Sequence, residues 1–455
     1  MKKIKIAFLL VATVLSSTLV SAQGTKEYTV DGIKVIHKYV PKDVISVRLF
    51  VEGGTANYSK EKQGIENLTL NLMVDGGTTN MPKLDFKTAS EKIGTSFGAS
   101  TALDYGSISM TCIKAFWDQS WNLFSDAILN PAFSENEYNL LKEQLIANAQ
   151  QTMADPDGSL DLLARQIAFE NKDYAKAYDG TPESLAGISL EDVKNYYKKT
   201  LGKKRTFLVV VGNITEEDLT AKIKASLGKM ANGTPVSKES RTLITQSKIH
   251  VEDRDIATNY IMGIMSAPFA NTEEGINYRI GMSIMGDRYF TELRTKRSLS
   301  YAPAAFYNRG AVTNPYGAIY ITTIDPKQSM QVMVDELDKV KKEGFSETEF
   351  TDKKQEFLTG YYLTLETTSN QADALGRSEI SGGWEALDQL TENVNKAKLA
   401  DINATFDKYS DVIVWIYLGK KDAVKTEDFK QTTPKEKKKQ TILIVSTTIS
   451  KTAFI

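Results

Sequence analysis

Histidine and cysteine are almost missing from this chain of 455 residues: His37, His250 and Cys112 are the whole supply. A structural zinc site asks for about four nitrogen or sulfur ligands and a catalytic one for about three protein ligands. Two histidines in separate segments would have to converge to begin such a site, so these side chains do not supply one. A single cysteine also cannot close an intramolecular disulfide, even where export would permit one. An excess of either charge is absent too. Lys and Arg number 56 against 57 Asp and Glu, a formal net charge of −1, which gives nucleic acid or an anionic membrane no electrostatic hold.

What is present is enough for sizeable cores. A hydrophobic content of 41% is that of an ordinary globular protein, and the length suits two or three domains. At the N-terminus Lys2, Lys3 and Lys5 precede the apolar run Ile6 to Val14, and Val20-Ser21-Ala22 offers small residues ahead of Gln23. This is the pattern of a secretory signal peptide over residues 1–22. The apolar core is shorter than the ~20 residues of a membrane span. Export, most simply to the periplasm of a Gram-negative bacterium, with secretion as the alternative that the same leader allows, is the expectation.

Past the leader the chain repeats itself. Ser46-Val47-Arg48-Leu49-Phe50-Val51 has a counterpart in Asn259-Tyr260-Ile261-Met262-Gly263-Ile264-Met265. Phe207-Leu208-Val209-Val210-Val211-Gly212 recurs in character as Ile413-Val414-Trp415-Ile416-Tyr417-Leu418-Gly419. A repeat this long signals duplicated domains, since solenoid periods are far shorter. The polar stretch with Asn232-Gly233-Thr234-Pro235 reads as a linker. Trp117, Trp121, Phe124 and Ile128 recur at helical spacing and predict a buried face ending at Asn130-Pro131. Ser134 with Glu137, and Ser189 with Asp192, have the spacing of capping boxes. Strands alternating with long helices give an α+β class, a sheet covered by helices. The expected division is 23–228, a linker over 229–247, 248–421, and a tail of unknown role over 422–455.

The most telling stretch is Gly64-Ile65-Glu66-Asn67-Leu68-Thr69-Leu70-Asn71, followed by Gly76-Gly77-Thr78. It resembles the inverted zinc motif, His-x-x-Glu-His, of the insulinase, pitrilysin and mitochondrial-processing-peptidase family (M16). In that motif residues one helical turn apart share a face, so two imidazoles grip one Zn²⁺ while the carboxylate activates its water. Aligned so, the histidines become Asn67 and Asn71 and the glutamate Leu70. The family's third ligand, a glutamate on a later helix ahead of Asp155-Pro156, becomes Asn148. Amides are poor zinc ligands and leucine has no lone pair to accept a proton. The bare residue chemistry predicts a semi-polar helix lining a cavity.

The resemblance runs from about Tyr28 to about Lys420. It also rests on Leu129-Asn130-Pro131-Ala132-Phe133, on Gly180-Thr181-Pro182-Glu183-Ser184-Leu185 and on Leu293-Arg294-Thr295-Lys296-Arg297-Ser298-Leu299-Ser300-Tyr301. The last is similar to the family segment whose arginine and tyrosine face the zinc across a chamber, which implies that Arg294 and Tyr301 contact substrate. Read alone, Arg294 would make a surface salt bridge and Tyr301 would be a strand residue. Ser298 stands where the family has glycine, and Pro303 removes a ladder donor nearby. Ile93 to Tyr105 resembles the family's glycine-rich turn and peptide-binding edge strand, implying substrate contacts at Ala99, Ser100 and Thr101, with Gly98 in place of an asparagine.

The resemblance implies two homologous α+β domains forming half of a clamshell. It further implies a non-catalytic subunit without a cofactor of its own, paired with a zinc-bearing homologue that acts on peptides or unfolded polypeptide. A peptide-binding or assembly subunit without proteolysis is the alternative. A self-sufficient zinc endopeptidase would need the ligands that Asn67, Leu70, Asn71 and Asn148 have replaced.

Overall fold

The structure, a computed structural model, describes residues 24–429. The leader assigned to 1–22 and the tail beyond Phe429 lie outside the described residues. The first half contains β1 (Lys26–Val30), β2 (Ile33–Tyr39), β3 (Val44–Glu52), α1 (Ile65–Asp75), α2 (Lys83–Lys92), β4 (Ser96–Thr101), β5 (Tyr105–Ile113) and α3 (Trp117–Leu129). It continues with α4 (Glu135–Ala154), α5 (Pro156–Ala168), α6 (Pro182–Ala186), α7 (Leu190–Thr200), β6 (Thr206–Gly212) and α8 (Glu216–Ala225). The second half contains β7 (Lys248–Asp253), β8 (Asn259–Ser266), α9 (Glu273–Tyr289), β9 (Ala304–Tyr307), β10 (Tyr316–Thr323), α10 (Pro326–Glu343) and α11 (Glu347–Thr364). It closes with α12 (Thr368–Ile380), α13 (Glu385–Asp388), α14 (Leu390–Lys396), α15 (Leu399–Ser410) and β11 (Val414–Gly419).

The duplication is visible in the sheets. The first runs β1-β2-β6-β3-β5-β4 and the second β7-β11-β8-β10-β9. Leaving out β1, the orders superimpose, and the hands of pairing do as well: β2 with β6 and β7 with β11 are parallel, while the other pairs are antiparallel. The repeats seen in the sequence are β3 with β8 and β6 with β11. By the same correspondence α1 matches α9, α4 matches α11, α5 matches α12, and β4 matches β9.

The predicted local signals have direct causes. Trp121 and Phe124 are fully buried in α3, which stops at Asn130. Ser189 and Asp192 form a complete capping box on α7. Ser134 caps α4, but Glu137 turns away to an ion pair with Lys83 at 2.5 Å, so that box is half made.

Both faces of each sheet are covered, which is why β6 and β11 are buried at every position rather than alternating. Leu208 and Val210 point into the first half's own core with α1 and α3. Phe207, Val209 and Val211 point the other way, onto Ala372 and Leu375 of α12, a helix of the second half. Reciprocally, Leu160 and Ala164 of α5 cover Met262, Ile264, Ile416 and Leu418 of the second sheet. The two halves therefore exchange equivalent helices.

A buried carboxylate fixes the exchange. Asp104, between β4 and β5, accepts hydrogen bonds from the backbone N–H of Val312 (2.8 Å) and Thr313 (3.1 Å), from the Thr313 hydroxyl and from Tyr174. The chain also stays folded past β11, since Phe429 is buried against Trp415 and Tyr417. No helix among the described residues is long and apolar enough to cross a membrane.

Helix α12 approaches β3 closely because Gly376 has no side chain: a Cβ there would stand 2.0 Å from the Phe50 ring. That ring is itself stacked on Phe207 at 4.9 Å and cannot give way. We expect Gly376→Ala to destabilise the protein by roughly 1–3 kcal/mol through overpacking, against the ~1 kcal/mol that alanine gains in helix propensity. Equilibrium denaturation measures the difference, and a stabilised variant would refute the contact.

Candidate functional site

The start of α1 is set by two glycines. Gly64, at φ +85, meets Gly180, at φ +92, so closely that a Cβ on Gly64 would lie 2.7 Å from the Gly180 Cα. Both conformations favour glycine, which gives Gly64 and the Gly180-Thr181 motif a common physical reason. From there the helix places Asn67 and Asn71 one turn apart. The Asn71 amide donates to the Asn67 side-chain oxygen at 2.6 Å and to its carbonyl at 2.9 Å.

Zinc does not fit these residues. The Asn71 amide is spent as a donor on Asn67, and Asn148 is an exposed amide on α4. Leu70 is fully buried in the first core, with its side chain near Gly106 of β5. The expectation of a semi-polar helix lining a cavity is corrected at this residue, because an apolar side chain gains more from the core than from a solvated face. Among the described residues no cluster of three or more His, Cys, Asp or Glu is placed to hold a metal. Cys112 is buried, and burial pushes its thiol up to about 11, which makes it unreactive.

Glu66 was missed by sequence reasoning. As an acid in the first turn it reads as a partner for the helix dipole, yet its residue is 1% exposed. Its Oε2 accepts from the Tyr196 hydroxyl and from Asn57 Nδ2 at 3.1 Å, while Asn57 Oδ1 accepts from Arg205 at 2.6 Å. Its Oε1 has no hydrogen-bond partner among the described residues and lies toward Gly106, where a Cβ would be 2.5 Å away. Burial raises this carboxyl from an ordinary 4.5 to about 7, a rise its hydrogen bonds only partly oppose. The tyrosines around it, Tyr58 and Tyr196, are held well above their usual range by burial and by this acid.

The structure brings Arg294 and Tyr301 into contact. Arg294 lies in a π-helical continuation of α9 over Phe290–Thr295, an irregularity often found at functional sites. Its guanidinium is stacked between Tyr301, at 4.3 Å from the ring centroid, and Phe290, at 4.7 Å. Among the described residues it makes no side-chain hydrogen bond or ion pair. The surface salt bridge that Arg294 alone would suggest is not formed, because Glu292 is engaged by Lys296 and Arg297, each at 2.6 Å. Tyr301 is 78% exposed, so its hydroxyl is open to a ligand, and it precedes β9 rather than lying in a strand. Pro303 stands immediately before that four-residue strand. No hydrogen bond, ion pair or ring contact among the described residues joins the pair to α1 or β4.

Ala99, Ser100 and Thr101 lie on β4, which among the described residues pairs only with β5 and is an edge of the first sheet. Unpaired strand edges are natural docking sites for extended peptides. The Ser100 and Ser107 hydroxyls are bonded at 2.9 Å, and Thr101 donates to Asp179 at 3.0 Å. Gly98 leaves room opposite Ser109, whose hydroxyl donates to the Gly98 carbonyl at 3.3 Å.

Two stability measurements check this geometry. The unfolded Glu66 carboxyl releases its proton near 4.5 and the folded one near 7, so its contribution to stability is fully present below about pH 4.5 and lost as pH rises to about 7, roughly 3 kcal/mol in all. Glu66→Gln should flatten that slope and leave the variant the more stable protein at about pH 8; an unchanged slope would contradict the burial. Ser298 holds the left-handed turn at φ +53, where Ser298→Gly should stabilise by about 1 kcal/mol in thermal denaturation.

Comparison with known proteins agrees with this architecture. Residues 34–181 match the insulinase family (peptidase family M16) and residues 187–357 match the peptidase M16 inactive domain. A non-peptidase homolog, YmxG of Helicobacter pylori, is 22% identical over 80% of this chain and 86% of its own length. An uncharacterized zinc protease of Bacillus subtilis, also named YmxG, is 19% identical over 83% of this chain and 94% of its own. These names disagree about activity. Among solved structures, a peptidase M16 inactive domain from Pseudomonas fluorescens shares the fold with a TM-score of 0.79 at 18% identity, covering 88% of this chain and 98% of that one. With both halves matched in order along a duplicated fold, the chain belongs to peptidase family M16.

Proposed function

We propose that this chain is the non-catalytic member of a two-subunit, exported M16 peptidase. A zinc-bearing homologue supplies the metal chemistry, and this chain supplies the opposing wall, the peptide-binding edge β4 and the Arg294–Tyr301 pair. The observation that carries the reading is the contrast between two sites. On the α1 face Asn71 spends its amide on Asn67, whereas Arg294 is stacked between two rings with no side-chain hydrogen bond among the described residues.

The pair has the chemistry for carbonyl polarisation. A guanidinium and a phenol can each donate to a scissile carbonyl, and more strongly to the oxyanion that develops on it. Stacking fixes the guanidinium before substrate arrives, so little ordering entropy is lost on binding. A peptide adding to β4 would be held by main-chain bonds, with Ala99, Ser100 and Thr101 presenting small side chains that tolerate varied sequences.

The test is reconstitution with the zinc-bearing homologue encoded in the same organism. The two should co-purify, and peptide cleavage should require both chains. Arg294→Ala or Tyr301→Phe should lower kcat by about 10²–10³-fold for each lost oxyanion donor, with complex formation unchanged. Cleavage by the homologue alone at the full rate would overturn the proposal. Stable peptide binding with no cleavage by any combination would favour an assembly or binding subunit. Protein recovered from the native source should begin at Gln23 on N-terminal sequencing.

A further inference from the structure

A cavity of 450 Å³ opens in the second half between α9, β9, α11 and α12. By the duplication, its walls α9, β9 and α11 are the counterparts of α1, β4 and α4, so it lies against the counterpart of the helix that bears the altered zinc motif in the first half. Its charge is unbalanced. Arg279, Arg309, Lys353 and Arg377 line it against one carboxylate, Glu356. Lys353 is satisfied by Asp287 and by Glu356 at 2.6 Å, and Arg377 by Asp373 at 2.7 Å.

Arg279 and Arg309 have no such partner. Neither makes a side-chain hydrogen bond or ion pair among the described residues. Arg279 is stacked on Phe357 at 4.8 Å, its head open to the cavity. Burial, with Arg309 and Arg377 as neighbours, draws its guanidinium down to about 10; Arg309, exposed at the rim, is lowered by partial desolvation and by Arg377 against the pull of Asp373. Both stay charged at neutral pH. Like charges facing one cavity, Arg279 half-buried and Arg309 exposed at its rim, favour an anion between them, and planar arginine forks match carboxylates in two-bond geometry. The rest of the wall is mixed: Ile276, Phe306, Tyr361 and Leu390 give it apolar surface, and Asn271, Ser283 and Asn393 are among its polar residues. Such a lining encloses the aliphatic part of a side chain, and the volume is that of an ordinary ligand site.

We infer that this cavity is a second peptide subsite, in which Arg279 and Arg309 hold a carboxylate of an acidic peptide segment. The inference rests on the peptide-binding reading above. It adds a preference for glutamate- or aspartate-bearing peptides, located away from the Arg294–Tyr301 pair.

Isothermal titration of the mature chain with a peptide of alternating glutamate and apolar residues, and with its glutamine analogue, tests it. The acidic peptide should bind about 10–100-fold more tightly, the worth of hydrogen bonds to a charged group. Arg279→Leu and Arg309→Gln should each abolish most of that preference while leaving the glutamine analogue unaffected. The Tm of Arg279→Leu should be equal to or above that of the parent, because an uncompensated cation is removed. Equal binding of the two peptides, or a preference that survives both substitutions, overturns the acidic subsite and leaves the peptide-binding reading standing. Binding of inorganic phosphate or citrate with no binding of either peptide overturns the subsite and the peptide reading together. Loss of cleavage in Arg294→Ala is independent of all these outcomes.

Discussion

Each sheet of this protein has two apolar faces and only one set of helices from its own half to cover them. The second face is closed by a helix lent from the other half: α12 onto β3 and β6, α5 onto β8 and β11. Burying a side chain such as Leu160 or Leu375 stabilises by about 1.5–3 kcal/mol, and these contacts disappear if the halves part. The two α+β units are therefore structurally interdependent although they are homologous. Asp104 adds direction to the apolar contact, because its four donors come from α5's side of the first half and from the loop before β10 in the second. Together the exchange and the clamp fix where α1, β4, α9 and β9 lie relative to one another, which any function shared between the halves requires.

Much of this was legible in the sequence because it was written locally. The β3/β8 and β6/β11 repeats, the aromatic stripe of α3 and the Ser189–Asp192 box each depend on residues within one element or turn. Pairing Arg294 with Tyr301 required the family resemblance, since nothing in their spacing says that one ring would stack on the guanidinium. What escaped was non-local. Apolar runs such as Phe207 to Val211 announce burial on two faces but not that the second cover comes from α12. Glu66 has the pattern of an exposed first-turn acid, and only the positions of Tyr196 and Asn57 reveal it as buried. The surplus of guanidinium around Arg279 is invisible along the chain, because its members come from α9, the loop after β9, and α12.

The duplicated halves have diverged in opposite electrostatic senses. At α1 the surface-facing groups are neutral amides that bond to one another. At the equivalent place in the second half, guanidinium groups outnumber acids. A metallopeptidase site concentrates a dication among anionic or neutral ligands, so neither arrangement could be converted into one by a single side-chain movement. The first lacks electron-pair donors of sufficient strength, and the second would repel the cation.

Glu66 is the one ionisable group within the altered motif, and its position shows why it does not restore what the neighbouring residues lack. It precedes Asn67 by one residue and Leu70 by four, so it shares the side of the helix that Leu70 turns to β5, and both meet Gly106 there. Asn67 and Asn71 lie on a different side. Tyr196 and Asn57 hold the Glu66 carboxyl in that inward direction, and its raised affinity for a proton further weakens it as a ligand near neutrality. Reaching the amide face would mean giving up both hydrogen bonds and leaving Tyr196 unpaired in the core, a loss of several kcal/mol by the usual cost of buried polar groups. The absence of a metal site on α1 is thus a property of how the helix is packed as well as of which residues were substituted.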